Sequence, residues 1–273
     1  MASLSGPGET MQVRGCGLRY WNHGDGGPVV LTHGAGTDHS VFDSQAKFLL
    51  DAGYRIITWD LRGHGLSRPW DGPFDPELLV DDLAELLDRL AIVRPVLVGH
   101  GLGGHISQAF TRRRPEHVRG LVVIGAGSDA GRVTLTERLR AAAKKAVLHR
   151  LPAAGVRRVL VERSAVTRAG RAYAARAFAS VEPARLADLW TAGLRFHDRK
   201  RFYRTPVPLC LVRGEHDRTG IVASSMRRWA PRELTRQVVV PDAGHLATVD
   251  APEAVNAVLN DFLQSLKPQD HEL

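Results

Sequence analysis

The groups able to move protons in this chain sit in short loops that follow apolar runs. His245 comes after Gln237-Val238-Val239-Val240 and the turn Pro241-Asp242-Ala243-Gly244, and Asp217 ends the loop Gly214-Glu215-His216-Asp217. An imidazole in such a loop can take up or release a proton near neutral pH. A third loop, Gly99-His100-Gly101-Leu102-Gly103, lies between the apolar run Val96-Leu97-Val98 and a helical pattern through Ile106, Ala109 and Phe110. That is the spacing of G-x-S-x-G, in which a tight strand-to-helix turn holds a serine oxygen clear of the backbone and the helix N-terminus stabilises negative charge. The central position here is Gly101. Glycine supplies no attacking atom, so an acyl-enzyme formed through residue 101 is excluded for this sequence.

Loops of this kind need strands to carry them. Pro28-Val29-Val30-Leu31-Thr32 and the runs at 54–59, 95–98, 121–124, 208–213 and 237–240 are short and apolar, as expected of strands buried on both faces of a parallel sheet. Helical patterns alternate with them: 41–52 closed by Gly53, a stripe from Pro76 through Leu79, Leu83, Leu86 and Leu90, a segment near 221–229, and a last helix from Pro252 to about Leu266. Segments 11–13 and 18–21, joined around Gly15 and Gly17, predict an outer antiparallel hairpin. The order of elements predicts a doubly wound, mostly parallel sheet. Between 125 and 204 the alternation stops, and 135–151, 155–166, 169–179 and 183–194 read as helices. The expected organisation is a core of residues 1–127 and 205–273 with a helical lid, 128–204, inserted in it. In open α/β sheets the ligand lies at the carboxyl ends of the strands, so the loops at 33–36, 100–104, 215–217 and 244–245 should converge on one pocket.

From about residue 17 the chain resembles the α/β-hydrolase family, in its lidded esterase, lactonase and haloperoxidase-like branch. The motifs that carry the resemblance are His33-Gly34-Ala35-Gly36, Asp60-Leu61-Arg62-Gly63-His64-Gly65, the turn from Gly99 to Gly103, Gly214-Glu215-His216-Asp217, and Ala243-Gly244-His245 before a final helix. The resemblance implies an α/β-hydrolase fold with an eight-stranded sheet. It also implies an acid at Asp217, a base at His245, and oxyanion donors at the backbone N–H groups of Ala35 and Leu102. The nucleophile of that family maps onto Gly101, where the carry-over fails. His33, Gly34, Gly36 and His100 are candidates for shaping the oxyanion hole or binding substrate. Each role has a plainer competitor: Asp217 could cap the following helix, with Glu215 and Asp129 as substitute acids, and His33 could be an architectural loop residue.

Composition narrows the partners. The net charge of +8 is concentrated between Arg132 and Arg204, which holds 18 Lys and Arg against 5 Asp and Glu. Such a lid suggests an anionic or carbonyl-rich small-molecule ligand. An Arg- and Ala-rich coding bias explains the same charge, and the cations lack the aromatic interleaving of a nucleic-acid groove, so no nucleic-acid partner is expected. No apolar run approaches eighteen residues, and the first residues have neither a basic nor an apolar leader pattern, so a cytoplasmic protein with no membrane partner is expected. Cys16 and Cys210 predict two reduced core thiols rather than a disulfide framework. His100 and His105 are five apart, wrong for one helical face, and no metal or cofactor is expected. Nothing in the sequence indicates the oligomeric state.

Three functional readings follow. In the first, a non-nucleophilic enzyme uses His245 and Asp217 to activate water or transfer a proton, with developing charge held by Ala35 and Leu102. In the second, a non-catalytic binding protein has kept the pocket. In the third, a serine esterase or lactonase has been altered at residue 101.

Overall fold

The computed structural model describes residues 6–70, 72–73, 75–130, 134–190, 192–198 and 203–267. Eight strands form one sheet: β1 (Glu9–Val13), β2 (Cys16–His23), β3 (Pro28–Thr32), β4 (Arg55–Trp59), β5 (Val96–His100), β6 (Gly120–Ile124), β7 (Leu209–Gly214) and β8 (Gln237–Val240). Their order across the sheet is β1-β2-β4-β3-β5-β6-β7-β8. The expected outer hairpin is β1–β2, joined to β4 by a second antiparallel pairing; every other pair is parallel. Every residue of β5 and β6 is buried, as continuous apolar runs require when helices cover both faces.

Between the strands run α1 (Asp43–Asp51), α2 (Pro76–Arg89) and α3 (Leu102–Arg113), and after β7 come α8 (Val222–Glu233), α9 (Ala247–Asp250) and α10 (Pro252–Ser265). Helix α2 has Asp75 as its N-cap, Pro76 in its first turn and a buried stripe of Leu79, Val80, Leu83, Leu86 and Leu87. Its buried Asp82 takes a two-pronged ion pair from Arg62, through Nε at 2.5 Å and through Nη2, tying the loop after β4 to the helix. The helix expected over 41–52 is divided: Asp38 caps Ser40 N at 3.1 Å, a 3-10 turn spans His39–Phe42, and α1 follows. Helix α8 extends past the expected end at Trp229 despite Pro231 in its last turn, and Trp229 Nε1 donates to Glu233 Oε1 at 2.9 Å across that turn.

Among the described residues, four helices are inserted between β6 and β7: α4 (Leu135–Arg150), α5 (Ala153–Ser164), α6 (Arg168–Ala179) and α7 (Pro183–Trp190). The segment expected as one helix over 183–194 is instead α7 followed by a 3-10 turn, Ala192–Phe196. Of the expected lid, residues 131–133, 191 and 199–202 lie outside the described residues. Helix α4 opens with a capping box of Thr134 and Glu137. Cys16 is buried and Cys210 half-buried, both as free thiols. Among the described residues no helix is long and apolar enough to cross a membrane.

Candidate active site

Sheet register decides which loops meet. Thr32 pairs with Gly99, so the loop after β3 lies beside the turn after β5; Gly214 pairs with Val240, which sets the loop after β7 beside the one carrying His245. Gly101 forms the turn between β5 and α3, with φ +51 and ψ −114, a conformation that carries strain for any residue with a Cβ. Its N–H is held by Ile124 O at 2.8 Å. The helix closes tightly onto the strand, for a Cβ on Gly103 would lie 2.1 Å from Thr32 O.

His245 and Asp217 meet across this turn. His245 Nδ1 lies 3.0 Å from Asp217 Oδ2, and the Asp217 side chain is fully buried. Thr219 completes the arrangement: its hydroxyl donates to Asp217 Oδ1 at 2.5 Å and stands 2.9 Å from His245 Nδ1, while its N–H also donates to Asp217 Oδ1 at 2.8 Å. A carboxylate only accepts, so the imidazole proton belongs on Nδ1, which turns the Nε2 edge towards Gly101. A Cβ built on Gly101 would lie 3.3 Å from His245 Nε2. Burial alone would raise the Asp217 carboxyl, but His245 and the hydrogen bonds from His245 and Thr219 hold it below the ordinary carboxylate range. Sequence reading missed Thr219; its signal was a hydroxyl residue two positions after the acid.

Gly101, His245, His100, Ala35 and Leu102 line one cavity of about 670 Å³. Leu102 opens α3, and the N–H groups of a first helical turn have no intrahelical partner, so its amide can bind an anion. His100 has a different surrounding from that expected of a substrate ligand. It is buried, and its Nε2 donates to His245 O at 2.9 Å, which fixes the loop bearing His245. Burial and the neighbouring His245 push its pKa down to about 3, so it stays neutral.

His33 does not reach the cavity. It is fully buried, takes the Leu61 N–H on Nε2 at 2.9 Å and donates through Nδ1 to Gly34 O at 2.8 Å, joining the loops after β3 and β4. Gly34 and Gly36 act by close packing. A Cβ on Gly34 would meet His100 Nδ1 at 2.7 Å, and one on Gly36 would meet Leu186 Cδ1 at 2.4 Å. Neither substitute acid approaches His245 in place of Asp217: Glu215 is exposed and accepts from Asp242 N at 3.4 Å, and Asp129 pairs with His105. A residue outside the expected set, Asp250, fixes the turn before His245 by accepting from Gly244 N at 2.9 Å.

Residues 29–258 match the model of the "Alpha/beta hydrolase family". The chain belongs to that family. Among its curated relatives is the non-heme chloroperoxidase CPO-A1 of Kitasatospora aureofaciens, 38% identical over 114 residues, a match that covers 41% of each chain. The first relatives are thus matched over only about two-fifths of their length. Among solved structures, a thermophilic esterase from Thermogutta terrifontis superposes with a TM-score of 0.77 at 24% identity, covering 94% of this chain and 97% of the esterase. A bromoperoxidase from Bacillus anthracis superposes with a TM-score of 0.76 at 22% identity, covering 91% and 96% of the two chains. At these identities the two superpositions establish the fold that this hydrolase-family chain shares with them.

The buried histidines give the fold a pH dependence of definite sign. Burial lowers His33, and lowers His64 and His100 to about 3. Below about pH 6.5 the unfolded chain takes up protons at these positions and the folded chain does not, so their stabilisation is complete above that pH and is lost as pH falls. His39 works in the opposite sense, because Asp60 outweighs burial and raises it. Urea midpoints are expected to fall between pH 7.5 and pH 5, with His64 and His100 each contributing on the order of 2 kcal/mol. A midpoint that rises towards pH 5 would contradict this assignment.

Proposed function

We propose that this chain is an enzyme acting on a small, carbonyl-containing and anionic molecule without a serine nucleophile. Gly101 stands at the position where the family places its nucleophile, His245 is the general base, and Asp217 with Thr219 orients it. The observation that carries the reading is the pairing of His245 Nδ1 with the buried Asp217 while its Nε2 edge faces a residue with no side chain. An oriented imidazole there can take a proton from water or from a carbon next to a carbonyl. The N–H groups of Ala35 and Leu102 hold the oxygen on which negative charge develops. The described residues of the segment 128–204 act as a lid over the cavity, to which they contribute Arg140, Lys144, Arg163 and Phe178. Assays of esters, lactones and enolisable keto acids with the wild type and with His245→Gln test the proposal. Turnover present in the first and absent in the second supports it; ligand binding with no turnover in either identifies a binding protein instead.

The anionic substrate class rests on one wall of the cavity. Half-buried Lys144 stands there with exposed Arg140, Arg163 and Arg218, while Arg228 is paired with Glu137 at 2.6 Å. Burial and then Arg163 push Lys144 down to about 8, although Asp217 opposes them. Lys144 is therefore charged at pH 7 and loses its charge above pH 8. For a carboxylate substrate, KM is expected to rise above pH 8, and Lys144→Gln is expected to raise it about tenfold at pH 7, the worth of one charge-assisted hydrogen bond. A neutral ester of the same acid should show neither effect. Equal changes for both substrates would overturn the anionic assignment.

A further inference from the structure

We infer that His105 is a second acid–base group of the same cavity, held by Asp129 as His245 is held by Asp217. The inference rests on the proposed proton-transfer reading and names the partner that such chemistry needs. His105 lies four residues after Gly101 on α3, so it stands one helical turn further along the face that carries the turn. Its side chain lines the cavity. Nδ1 makes a short hydrogen bond to Asp129 Oδ1, and the ring stacks on Phe196 with centroids 5.9 Å apart. The Nε2 edge is set against Gly193, where a Cβ would come within 2.4 Å, so only glycine leaves that edge room.

Asp129 is built into the core as a carboxylate support. Its side chain is 1% exposed, Oδ2 is buried without a hydrogen-bond partner, and burial raises its pKa despite His105, Arg112 and His197 nearby. Its main chain is fixed on both sides: Gln108 Oε1 accepts from Asp129 N at 3.0 Å, and Asp129 O accepts from Asp198 N at 2.7 Å. Asp198 in turn pairs with Arg112 at 3.2 Å. An acid with one oxygen unsatisfied is a costly way to fill space. Among the described residues its side-chain hydrogen-bond partner is an imidazole at the cavity wall; Asp217 pairs with His245 in the same way, but accepts from Thr219 as well.

Two such groups allow one proton to leave the carbon next to the carbonyl and another to be delivered to it. His245 removes a proton next to the carbonyl, and the electron pair moves onto the carbonyl oxygen at Ala35 and Leu102. As the carbonyl re-forms, the carbon–carbon double bond of the enolate opens, and that same carbon takes the Nε2 proton of His105 in its imidazolium form. The substrate's proton count is unchanged, and exchange with water resets both imidazoles.

Two measurements on the full chain test this. The first follows α-proton exchange of laevulinate, a small keto carboxylate, in deuterium oxide between pH 5 and 9. His105→Gln is expected to slow exchange by about 10²-fold or more and to remove one limb of the pH profile. Asp129→Asn, which keeps the shape of the pair, should shift that limb and have a smaller effect on rate. The second maps carbethoxylation by diethyl pyrocarbonate, with expected modification of both His105 and His245 in the folded wild type. A His105→Gln variant that keeps the wild-type rate and both limbs while losing only thermal stability would reduce the pair to packing. So would a His105 that stays unmodified while His245 reacts. If the wild type exchanges no laevulinate, the modification pattern alone decides. An effect of His105→Gln with none of His245→Gln would overturn the role proposed for His245 and leave this one standing.

Discussion

Replacing His245 with alanine is expected to lower turnover by roughly 10³-fold while leaving ligand affinity within a small factor. The site predicts this division. The imidazole contributes a proton acceptor at the cavity, whereas the cavity wall is built mostly by other residues, including Lys144, Ala35 and Leu102. The fold should tolerate the change. The hydrogen bond from His100 goes to the main-chain oxygen of residue 245, and Asp217 keeps both donors from Thr219 at 2.5 and 2.8 Å. Steady-state kinetics and calorimetric titration with one substrate analogue separate the two quantities. Turnover that survives His245→Ala intact would remove the base from the proposed mechanism.

The second large effect is a gain. Gly101→Ser is expected to create a nucleophile that is acylated by p-nitrophenyl acetate in a stoichiometric burst and labelled by a fluorophosphonate. A Cβ at this position lies 3.3 Å from His245 Nε2 and 3.7 Å from Gly34 Cα, a close fit that a shift of a few tenths of an ångström relieves. Its hydroxyl would then stand between the base and the amide donors that the proposal assigns to Ala35 and Leu102. In proteases, loss of the serine costs on the order of 10⁶ in turnover, so even partial restoration is measurable. The strain of a side chain at φ +51 should lower stability by about 1 to 3 kcal/mol. Double replacement of Gly101 by Ser and His245 by Ala should abolish the burst. A folded Gly101→Ser protein that is never acylated would show that the pocket lacks hydrolase-type activation.

Much of this arrangement is legible in the chain because it depends on local physics. Val29, Val30 and Leu31, and Val96, Leu97 and Val98, are uninterrupted apolar runs, and such runs between amphipathic helices form central parallel strands. The glycines at 99, 101 and 103 mark a tight strand-to-helix turn whichever residue fills its centre. His245 and Asp217 are legible as a pair because each follows a strand of the same sheet. Their loops must emerge at the same edge.

Other features escaped sequence reading because they are set by contacts between distant segments. His100 is not marked in the sequence as a support for the His245 loop 145 residues away, and His33 is not marked as a link to Leu61. The spacing of His100 and His105 counted against a shared ligand. It does not show that His105 lines the cavity and meets Asp129. Thr219 was hidden for a similar reason: a threonine two residues after an acid is common, and its role appears only when His245 comes within 2.9 Å.

The sequence by itself determined the sheet, the inserted helices, the glycine at the strand-to-helix turn and the two loops that carry Asp217 and His245, the residues proposed as acid and base. All of these follow from hydrophobic periodicity, turn chemistry and the edge at which parallel strands end. Tertiary structure alone decided that two histidines, each backed by a buried aspartate, reach the cavity Gly101 lines, while His33 and His100 hold the loops in place. A side chain's role at such a site is fixed by what packs against it from other elements, and burial, partner and direction are not encoded in its immediate neighbours along the chain.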